Sequence, residues 1–211
     1  MLKKGILITF EGGEGSGKTT QYKLFRDYLK EIDPMFFGRP VREPGGTVIG
    51  ERIRAILLDP SIDSMSIRAE TLLFEAARAQ IVDEILGPAI ENGRTVVLDR
   101  YFDSTTAYQG SARGIGVEKT RLLNHFATNG LAPDLTFLLD IDPLVGLERA
   151  TREATDRLEA ESIEFHNAVR EGYLEAARLD PERVYVIDAT ASIEDIFNQI
   201  TERYSQYLEG R

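Results

Sequence analysis

Eight residues near the amino terminus have the types and spacing of a phosphate-binding loop. The run Gly12–Thr19 has the sequence GGEGSGKT, which fits the pattern G-x-x-x-x-G-K-[ST]. Glycines let the backbone curve closely around oxygen atoms, so that successive N–H groups point at phosphates. Lys18 can reach the β- and γ-phosphates of a nucleoside triphosphate, and the Thr19 hydroxyl can ligate Mg²⁺. The pattern predicts a triphosphate site, and the alternative is a glycine-rich turn without a ligand.

The flanking elements suit such a loop. A short apolar run, Ile6–Phe10, predicts a buried strand before it, and the helical spacing of apolar residues over Lys18–Ile32 predicts a helix after it. Asp99 ends a second apolar strand, Thr95–Asp99, where a carboxylate can lie close to Mg²⁺ and its waters. The alternative is an aspartate that caps the next helix.

The remaining pattern predicts an α/β fold with one doubly wound parallel sheet, in a single domain over residues 1–211 with a mobile lid. Strands alternate with helices along the chain, an order that puts helices on both faces of the sheet. The further predicted strands are Phe36–Arg42, Leu135–Ile141 and Arg183–Ile187. The further predicted helices are Gly50–Leu58, Ile67–Asn92 and Ile193–Leu208, the second kinked or divided at Gly87-Pro88.

Composition narrows the functional classes. The 211 residues are 42% hydrophobic and 28% charged, with a formal net charge of -10 and no cysteine. An acidic surface repels duplex nucleic acid, and the lack of cysteine excludes disulfides and thiolate metal sites. The chain has no apolar stretch long enough to span a bilayer, and its first apolar run, Ile6–Phe10, is too short for a signal peptide. We expect a cytoplasmic protein with neither a nucleic-acid nor a membrane partner.

One segment differs in composition from the rest. Residues 148–161 have the sequence ERATREATDRLEAE, dense in charge and poor in large apolar residues. A helix here would make few core contacts, which is typical of a mobile lid. A solvated surface helix is the alternative.

Several motifs together resemble the thymidylate kinase family. The chain lacks the D-x-x-G and N-K-x-D strings of switch GTPases, and it is smaller than most P-loop motors. The residues that carry the resemblance are FEGGEGSGKTT at 10–20, REPGGT at 42–47, DRY at 99–101, AYQG at 107–110, GLAPDL at 130–135 and DRLE at 156–159. They occur in the family's order and cover the chain from about residue 7 to residue 173.

The resemblance implies a nucleoside monophosphate kinase fold, a homodimer, and Mg²⁺-dependent transfer of the γ-phosphoryl group of ATP to dTMP. It implies that ATP is bound by Gly12, Gly13, Glu14, Gly15, Ser16, Gly17, Lys18, Thr19 and Thr20, with Arg149 packed on the adenine. Thr19 and Asp99 are the implied metal ligands. The apolar helix near Leu72–Ile90 is a candidate dimer face.

Four residues are implied at the thymine base. Phe74 and Arg78 lie four positions apart on one helical face, where a ring can stack on a pyrimidine and a guanidinium can donate to its O4. Thr105 and Gln109 would complete the base edge, since an amide both donates and accepts. The alternative for Phe74 is core packing. Arg78, a charge within an apolar stretch, requires a partner.

The acceptor phosphate and the sugar have implied partners too. Arg54 and Arg100 match the family's clamps on the phosphate, and Arg42 is a third candidate. Glu14 would lie near the sugar 3′-hydroxyl. The alternatives are surface ion pairs for the arginines and an exposed side chain for Glu14.

The transition-state arginine is expected from the lid. One branch of the family has arginine where this chain has Gly15, whereas the lid here offers Arg149, Arg152 and Arg157. This is similar to the bacterial arrangement, in which lid closure delivers the arginine. Lys18, Glu14, Arg100 and Arg152 are the predicted catalytic residues, with Arg152 the one that reaches phosphates.

Two competing functions remain at this stage. One is another nucleoside monophosphate kinase, for UMP, CMP or a purine. The other is a P-loop regulatory ATPase, which would hydrolyse ATP without an acceptor.

Overall fold

Five parallel strands form one sheet in the computed structural model, which describes residues 4–62, 64–150 and 157–211. The strands are β1 (Ile6–Gly12), β2 (Val41–Arg42), β3 (Thr95–Asp99), β4 (Leu135–Asp140) and β5 (Val184–Asp188), in the order β2-β3-β1-β4-β5. The predicted parallel sheet is confirmed. Because β1 pairs with both β3 and β4, with Phe10 opposite Asp99, the carboxyl ends of the three central strands meet at one edge.

Helical segments connect the strands. They are α1 (Lys18–Ile32), α2 (Val48–Leu58), α3 (Ile67–Ile81), α4 (Gly87–Glu91), α5 (Phe102–Thr105), α6 (Val117–Ala127), α7 (Pro143–Arg149), α8 (Ile163–Leu179) and α9 (Ile193–Glu209), with π-helical turns at Val82–Leu86 and Thr106–Ala112. Several begin with the expected side-chain caps: Ser66, Ser162 and Ser192 accept a hydrogen bond from the first turn of α3, α8 and α9.

The core lies on both faces of the sheet, which explains why β1 is apolar without alternation. Ile8 and Phe10 face α1 and α9, where Phe25 is also buried. Leu7 faces the opposite layer, which includes the segment from α3 to α4. A further cluster packs α8 on β4 and β5. Each central strand is therefore fixed from both sides, and so are the loops at its carboxyl end.

The predicted strand Phe36–Arg42 is mostly wrong. Only Val41–Arg42 pairs with β3 as a strand, while Phe36 forms an isolated bridge to Thr95. Pro40 has no N–H to donate to a ladder, and Gly38 adds no side chain to pack, so the segment leaves the sheet between its two contacts. A proline suits only an edge position, and β2 is the outer strand of the sheet.

The predicted helix Ile67–Asn92 is divided into three parts. The α-helical pattern ends at Ile81, and the N–H of Gly87 donates to the carbonyl of Val82, five residues back. Pro88 explains the wider turn, because its ring lacks an N–H and would clash with the carbonyl four residues earlier. The helix is therefore divided, as predicted, but the irregular turn begins at Val82, about one turn before Gly87-Pro88.

The region between β3 and β5 holds helices that the sequence interpretation did not assign. They are α5 to α8. Of the predicted lid, residues 148–149 end α7 and residues 157–160 form a turn. Residues 151–156, which include Arg152, lie outside the described residues.

We expect the core to respond strongly to a cavity on α1. Leu29 is fully buried, so Leu29→Ala should lower the free energy of unfolding by ~2–5 kcal/mol. Ile32 is the matched control, because it lies on the same helix and is 49% exposed. Ile32→Ala should change the free energy of unfolding by less than about 0.5 kcal/mol. Denaturant unfolding followed by circular dichroism measures both. Equal losses would contradict this packing.

Candidate active site

The predicted phosphate-binding loop connects the buried end of β1 to the start of α1. Its backbone passes through positive φ at Gly12, Gly15 and Gly17, with φ of 142°, 65° and 83°. A Cβ would strain each of these positions, which is why glycine is required there. The Ser16 hydroxyl donates to the Gly13 carbonyl over 2.8 Å, and the Lys18 ammonium donates to the same oxygen over 2.7 Å. The Lys18 side chain thus folds back onto the loop. Thr19 and Thr20 are exposed in the first turn of α1.

Gly15 packs against α7 without room for a side chain. A Cβ built on Gly15 would overlap the carbonyl of Gly146, and one built on Gly146 would overlap the carbonyl of Glu14. The loop and the helix that leads to the lid are therefore in backbone contact. An arginine at position 15 does not fit this packing.

Glu14 turns into the site and does not point away from it. Its carboxylate forms an ion pair with Arg100 over 2.7 Å and accepts a hydrogen bond from the Tyr108 hydroxyl over 3.0 Å. Burial alone would raise the pKa of Glu14, but the charges of Arg100 and Lys18 and the bond from Tyr108 lower it to about 2. Glu14 is therefore a carboxylate at any physiological pH.

Lys18 and Arg100 concentrate positive charge beside the loop. Burial and the repulsion of Arg100 lower the pKa of Lys18 to about 8, while Glu14 and Asp99 oppose this shift. Arg100 also donates to the Gly12 carbonyl over 3.1 Å. Two cations beside the loop, Lys18 buried and Arg100 half-buried, favour an anion such as a phosphate between them.

A cavity of about 250 Å³ opens next to the loop, at the carboxyl ends of β1 and β3. Most of the residues predicted from the sequence line it: Glu14, Lys18, Thr19, Arg42, Arg54, Phe74, Arg78, Asp99, Arg100, Thr105 and Gln109. Arg149 lies elsewhere, donating to the Ala189 carbonyl over 2.8 Å at the loop before α9. The fold thus gathers into one cavity predicted site residues that are up to 95 positions apart, from Glu14 to Gln109.

The wall of the cavity combines an aromatic ring with polar groups. Phe74 is half-buried and lines the cavity; it belongs to none of the three core clusters formed by the described residues. The Thr105 hydroxyl is buried and has no hydrogen-bond partner within the described part of the chain. Gln109 donates through Nε2 to Glu70 over 2.8 Å. A planar ligand with polar edges matches this wall.

Arg78 is buried, and its guanidinium is surrounded by acceptors. Nε and Nη2 lie 2.9 Å from Glu43, Nη1 lies 3.1 Å from both Glu75 and Asn124, and Nη2 donates to the Tyr101 carbonyl over 3.3 Å. Burial raises the pKa of Glu43 to about 7 against the opposing charge of Arg78. Each of the three guanidinium nitrogens already donates a hydrogen bond to a protein acceptor, so a ligand that bonds Arg78 competes with these partners.

The end of the predicted lid reaches the same cavity. Arg157 forms an ion pair with Glu70 over 2.7 Å and donates to the Leu57 carbonyl over 3.1 Å. Leu158 and Glu159 line the cavity. Arg113 connects the same groups, with Glu161 at 2.6 Å and Glu70 at 3.3 Å. Glu70 therefore holds both a cavity residue, Gln109, and the lid.

Comparisons with known proteins agree on one family. Residues 10–200 match the family model described as thymidylate kinase. The thymidylate kinase of Symbiobacterium thermophilum is 46% identical over 207 residues, 98% of this chain and 95% of the relative. That of Lactobacillus acidophilus is 44% identical over 210 residues, 97% of this chain and 96% of the relative. The chain belongs to the thymidylate kinase family.

A solved structure supports the same assignment for the fold. The crystal structure of thymidylate kinase from Ehrlichia chaffeensis matches with a TM-score of 0.77 and 32% identity, covering 96% of this chain and 99% of that one. The parallel sheet and the P-loop are therefore those of a thymidylate kinase. No helix within the described ranges is both long and apolar enough to cross a membrane.

Sequence reasoning missed the carboxylates that hold the arginines. Glu43 and Glu75 neutralise Arg78, and Glu70 holds Arg157 and Gln109. A signal for Glu70 was present, because it precedes Phe74 by four positions and so shares the predicted cavity face of α3. Thymidylate kinase motifs alone do not reveal these pairs: Glu43 and Glu70 have partners in distant parts of the chain, and only Glu75 lies on the same helix as the arginine that it neutralises.

Glu70 should control how firmly the end of the lid is held. Glu70→Gln removes the charge that pairs with Arg157 and Arg113, so we expect amide hydrogens of residues 157–161 to exchange about tenfold faster or more. Hydrogen exchange with mass spectrometry measures this. Glu164→Gln, at an exposed position on α8, is the matched control. Unchanged exchange in Glu70→Gln would show that the ion pair does not hold the segment.

Proposed function

We propose that this chain transfers the γ-phosphoryl group of ATP to dTMP, giving ADP and dTDP, as a step of dTTP synthesis. Membership of the thymidylate kinase family supports this reaction. The observation that carries it is the juxtaposition of a phosphate-binding loop with a cavity, joined by Glu14, Lys18 and Arg100. Donor and acceptor sites that share cations suit direct transfer between them.

The donor binds along the loop. Backbone N–H groups over Gly12–Thr20 hold the phosphates, and Lys18 leaves the Gly13 carbonyl to contact the β- and γ-phosphates. The adenine lies towards Arg149 and the loop before α9, because Arg149 is fixed there by the Ala189 carbonyl. A guanidinium face can stack on a purine ring at that point.

The acceptor binds in the cavity. Phe74 stacks on the thymine, and the buried Thr105 hydroxyl and the amide of Gln109 contact the base edge. Arg78 donates to the base O4 in exchange for one of its present acceptors. Glu14 lies at the sugar 3′-hydroxyl, where an ionised carboxylate accepts a hydrogen bond.

Catalysis then depends on position and charge. Arg54 and Arg100 hold the acceptor phosphate in line with the donor, and both line the cavity. The acceptor phosphate is already a dianion near neutral pH, so a strong general base is not required. Preorganised cations stabilise the charge that develops on the transferring group.

Closure of the lid over residues 148–161 completes this site. Its closure excludes water, which would otherwise accept the phosphoryl group, and brings Arg152 to the transferring phosphate. Arg152 lies outside the described residues, so its role rests on the match to the family. The whole chain, residues 1–211, acts as one catalytic domain in this proposal.

Thr19 and Asp99 are the residues that would hold a magnesium ion. Both line the cavity, and a hydroxyl and a carboxylate are the oxygen ligands that Mg²⁺ prefers. Among the residues described, no group of three or more His, Cys, Asp or Glu side chains could hold a metal ion. Such a site suits an ion that arrives with ATP and completes its shell with phosphate oxygens and waters. Bound there, Mg²⁺ neutralises charge on the β- and γ-phosphates.

A nucleotide panel tests the reaction. With ATP and Mg²⁺ in a coupled ADP assay, we expect almost no ADP release without an acceptor and the fastest release with dTMP. Lys18→Ala should fold but lower the rate by at least about a hundredfold, because it removes a cation from the transferring phosphate. UMP, CMP, AMP and GMP are the competing acceptors. Faster use of one of these, or ADP release without any acceptor, would favour the alternative functions.

We also propose a cytoplasmic homodimer, with ATP and dTMP as its small-molecule partners and without nucleic-acid or membrane partners. The sequence suggested residues 72–90 as the dimer face. Most of this range belongs to the core, because Ile81, Ile85 and Ile90 are buried. Leu72 is the large apolar residue of the range that stays exposed. On the neighbouring helix α6, Leu122 is 73% and Phe126 is 86% exposed. A second copy that covers α3 and α6 would bury these side chains.

A charge on this face should separate the subunits. Phe126→Asp places a carboxylate where an apolar ring would be buried, so we expect the dimer of the wild type to dissociate to monomers in sedimentation velocity. Leu208→Asp is the control, since Leu208 is 43% exposed on α9, which packs on the opposite face of the sheet. Dissociation by both variants, or by neither, would contradict this interface.

A further inference from the structure

Glu11 is a fully buried carboxylate that the catalytic scheme above does not use. It lies at the carboxyl end of β1, next to Gly12 of the phosphate-binding loop, and its exposed fraction is 0%. Both carboxylate oxygens are bonded: Oε1 accepts from the Tyr101 N–H over 2.7 Å, and Oε2 accepts from the hydroxyls of Ser104, over 2.6 Å, and Tyr173, over 3.1 Å. A buried charge with this many directed partners indicates a specific task.

The two hydroxyls connect Glu11 to Arg100. The Arg100 Nη1 donates to Tyr173 over 2.9 Å and to Ser104 over 3.3 Å, and the two hydroxyl oxygens are 2.7 Å apart. At 2.7 Å one hydroxyl donates to the other. The shorter bond to Glu11 comes from Ser104, so the Tyr173 proton points towards Ser104 and Glu11, and the Tyr173 oxygen accepts from the guanidinium. Glu11 thereby orients the hydroxyls that receive the Arg100 side chain.

Glu11 also supports the backbone at Arg100. This residue has a left-handed φ of 65°, which is uncommon for a side chain of its size. Its N–H donates to the Phe10 carbonyl over 3.0 Å, and the next N–H, of Tyr101, donates to Glu11. The end of β1 thus fixes the chain on both sides of the strained residue and directs its side chain to the cavity.

We propose that Glu11 and Tyr173 are positioning residues that hold the Arg100 guanidinium between the phosphate-binding loop and the acceptor phosphate. The proposal rests on the phosphate contact of Arg100 in the proposed function. Burial, with the neighbouring charge of Asp103, raises the pKa of Glu11 to about 7 despite the hydrogen bond from Ser104. The fold keeps an acidic side chain here although burial disfavours its charged form, in keeping with a role in orientation.

The consequence is a selective defect in acceptor use. Without the Tyr173 hydroxyl, the Nη1 of Arg100 loses its shortest acceptor but keeps the Gly12 carbonyl and, through Nη2, Glu14. We expect Tyr173→Phe to lower kcat/KM for dTMP about ten- to a hundredfold, while KM for ATP changes less than about twofold. Glu11→Gln should have the same signature, and Glu11→Asp should retain part of the activity.

A double-mutant cycle separates positioning from a general loss of structure. Arg100→Lys keeps the charge, but a lysine cannot form the same set of hydrogen bonds. In that background, Tyr173→Phe should therefore lower kcat/KM for dTMP by less than about twofold. Tyr207→Phe is the matched control: its hydroxyl donates to Asp134 over 3.1 Å at the opposite edge of the sheet, and steady-state kinetics should not change. Thermal unfolding checks that each variant is folded. Should Glu11→Gln fail to fold, Tyr173→Phe alone completes the cycle.

The outcomes are distinguishable. The proposal is overturned if Tyr173→Phe has the dTMP kinetics of the wild type, or if it lowers kcat/KM for dTMP equally in the wild-type and Arg100→Lys backgrounds. Either result leaves Arg100 in place as a phosphate ligand. If Arg100→Lys leaves dTMP kinetics unchanged, the phosphate contact itself is wrong and the proposal falls with it. A large loss in the wild-type background that disappears beside Arg100→Lys supports positioning through Arg100.

Discussion

The ion pair between Arg100 and Glu14 joins the phosphate-binding loop to the acceptor cavity. Glu14 follows β1 and Arg100 follows β3, and the pairing of Phe10 with Asp99 brings both strand ends to one edge of the sheet. Phosphoryl transfer requires the reacting atoms within about 3–3.5 Å and in line. An arginine bonded to both the loop and the cavity is placed to set that separation. Its backbone strain, of about 1–2 kcal/mol, is therefore retained.

Buried carboxylates allow an acidic protein to present a basic site. The formal net charge is -10, yet Lys18, Arg54 and Arg100 surround one cavity. In the cavity wall, Glu43 and Glu75 neutralise Arg78, and Glu70 neutralises the cations that hold the lid. Neutralised cations keep a fixed orientation without repelling one another. The positive charge next to the phosphate-binding loop suits an anion such as a phosphate.

The strands were predicted well because their signal is local. Continuous apolar runs end at polar residues, and the bounds of β1, β3, β4 and β5 agree with the prediction within one or two residues. The π-helical turns were not predicted, because apolar residues recur at helical spacing whether a turn closes four or five residues back. The strand predicted at the edge, Phe36–Arg42, was mostly wrong. Its apolar residues suit a strand, but Pro40 prevents continuous hydrogen bonding to β3.

The sequence by itself determined the chemistry of the loop, the parallel order of the strands, the family and most of the residues that line the cavity. These follow from residue types at short fixed spacings, which the chain encodes directly. Only the tertiary structure decided which carboxylate holds which arginine, that Glu11 reaches Arg100 through Tyr173, and where the end of the lid is held. Such contacts join residues as far apart as Glu11 and Tyr173, and they exist only because strand order places the ends of separate segments together.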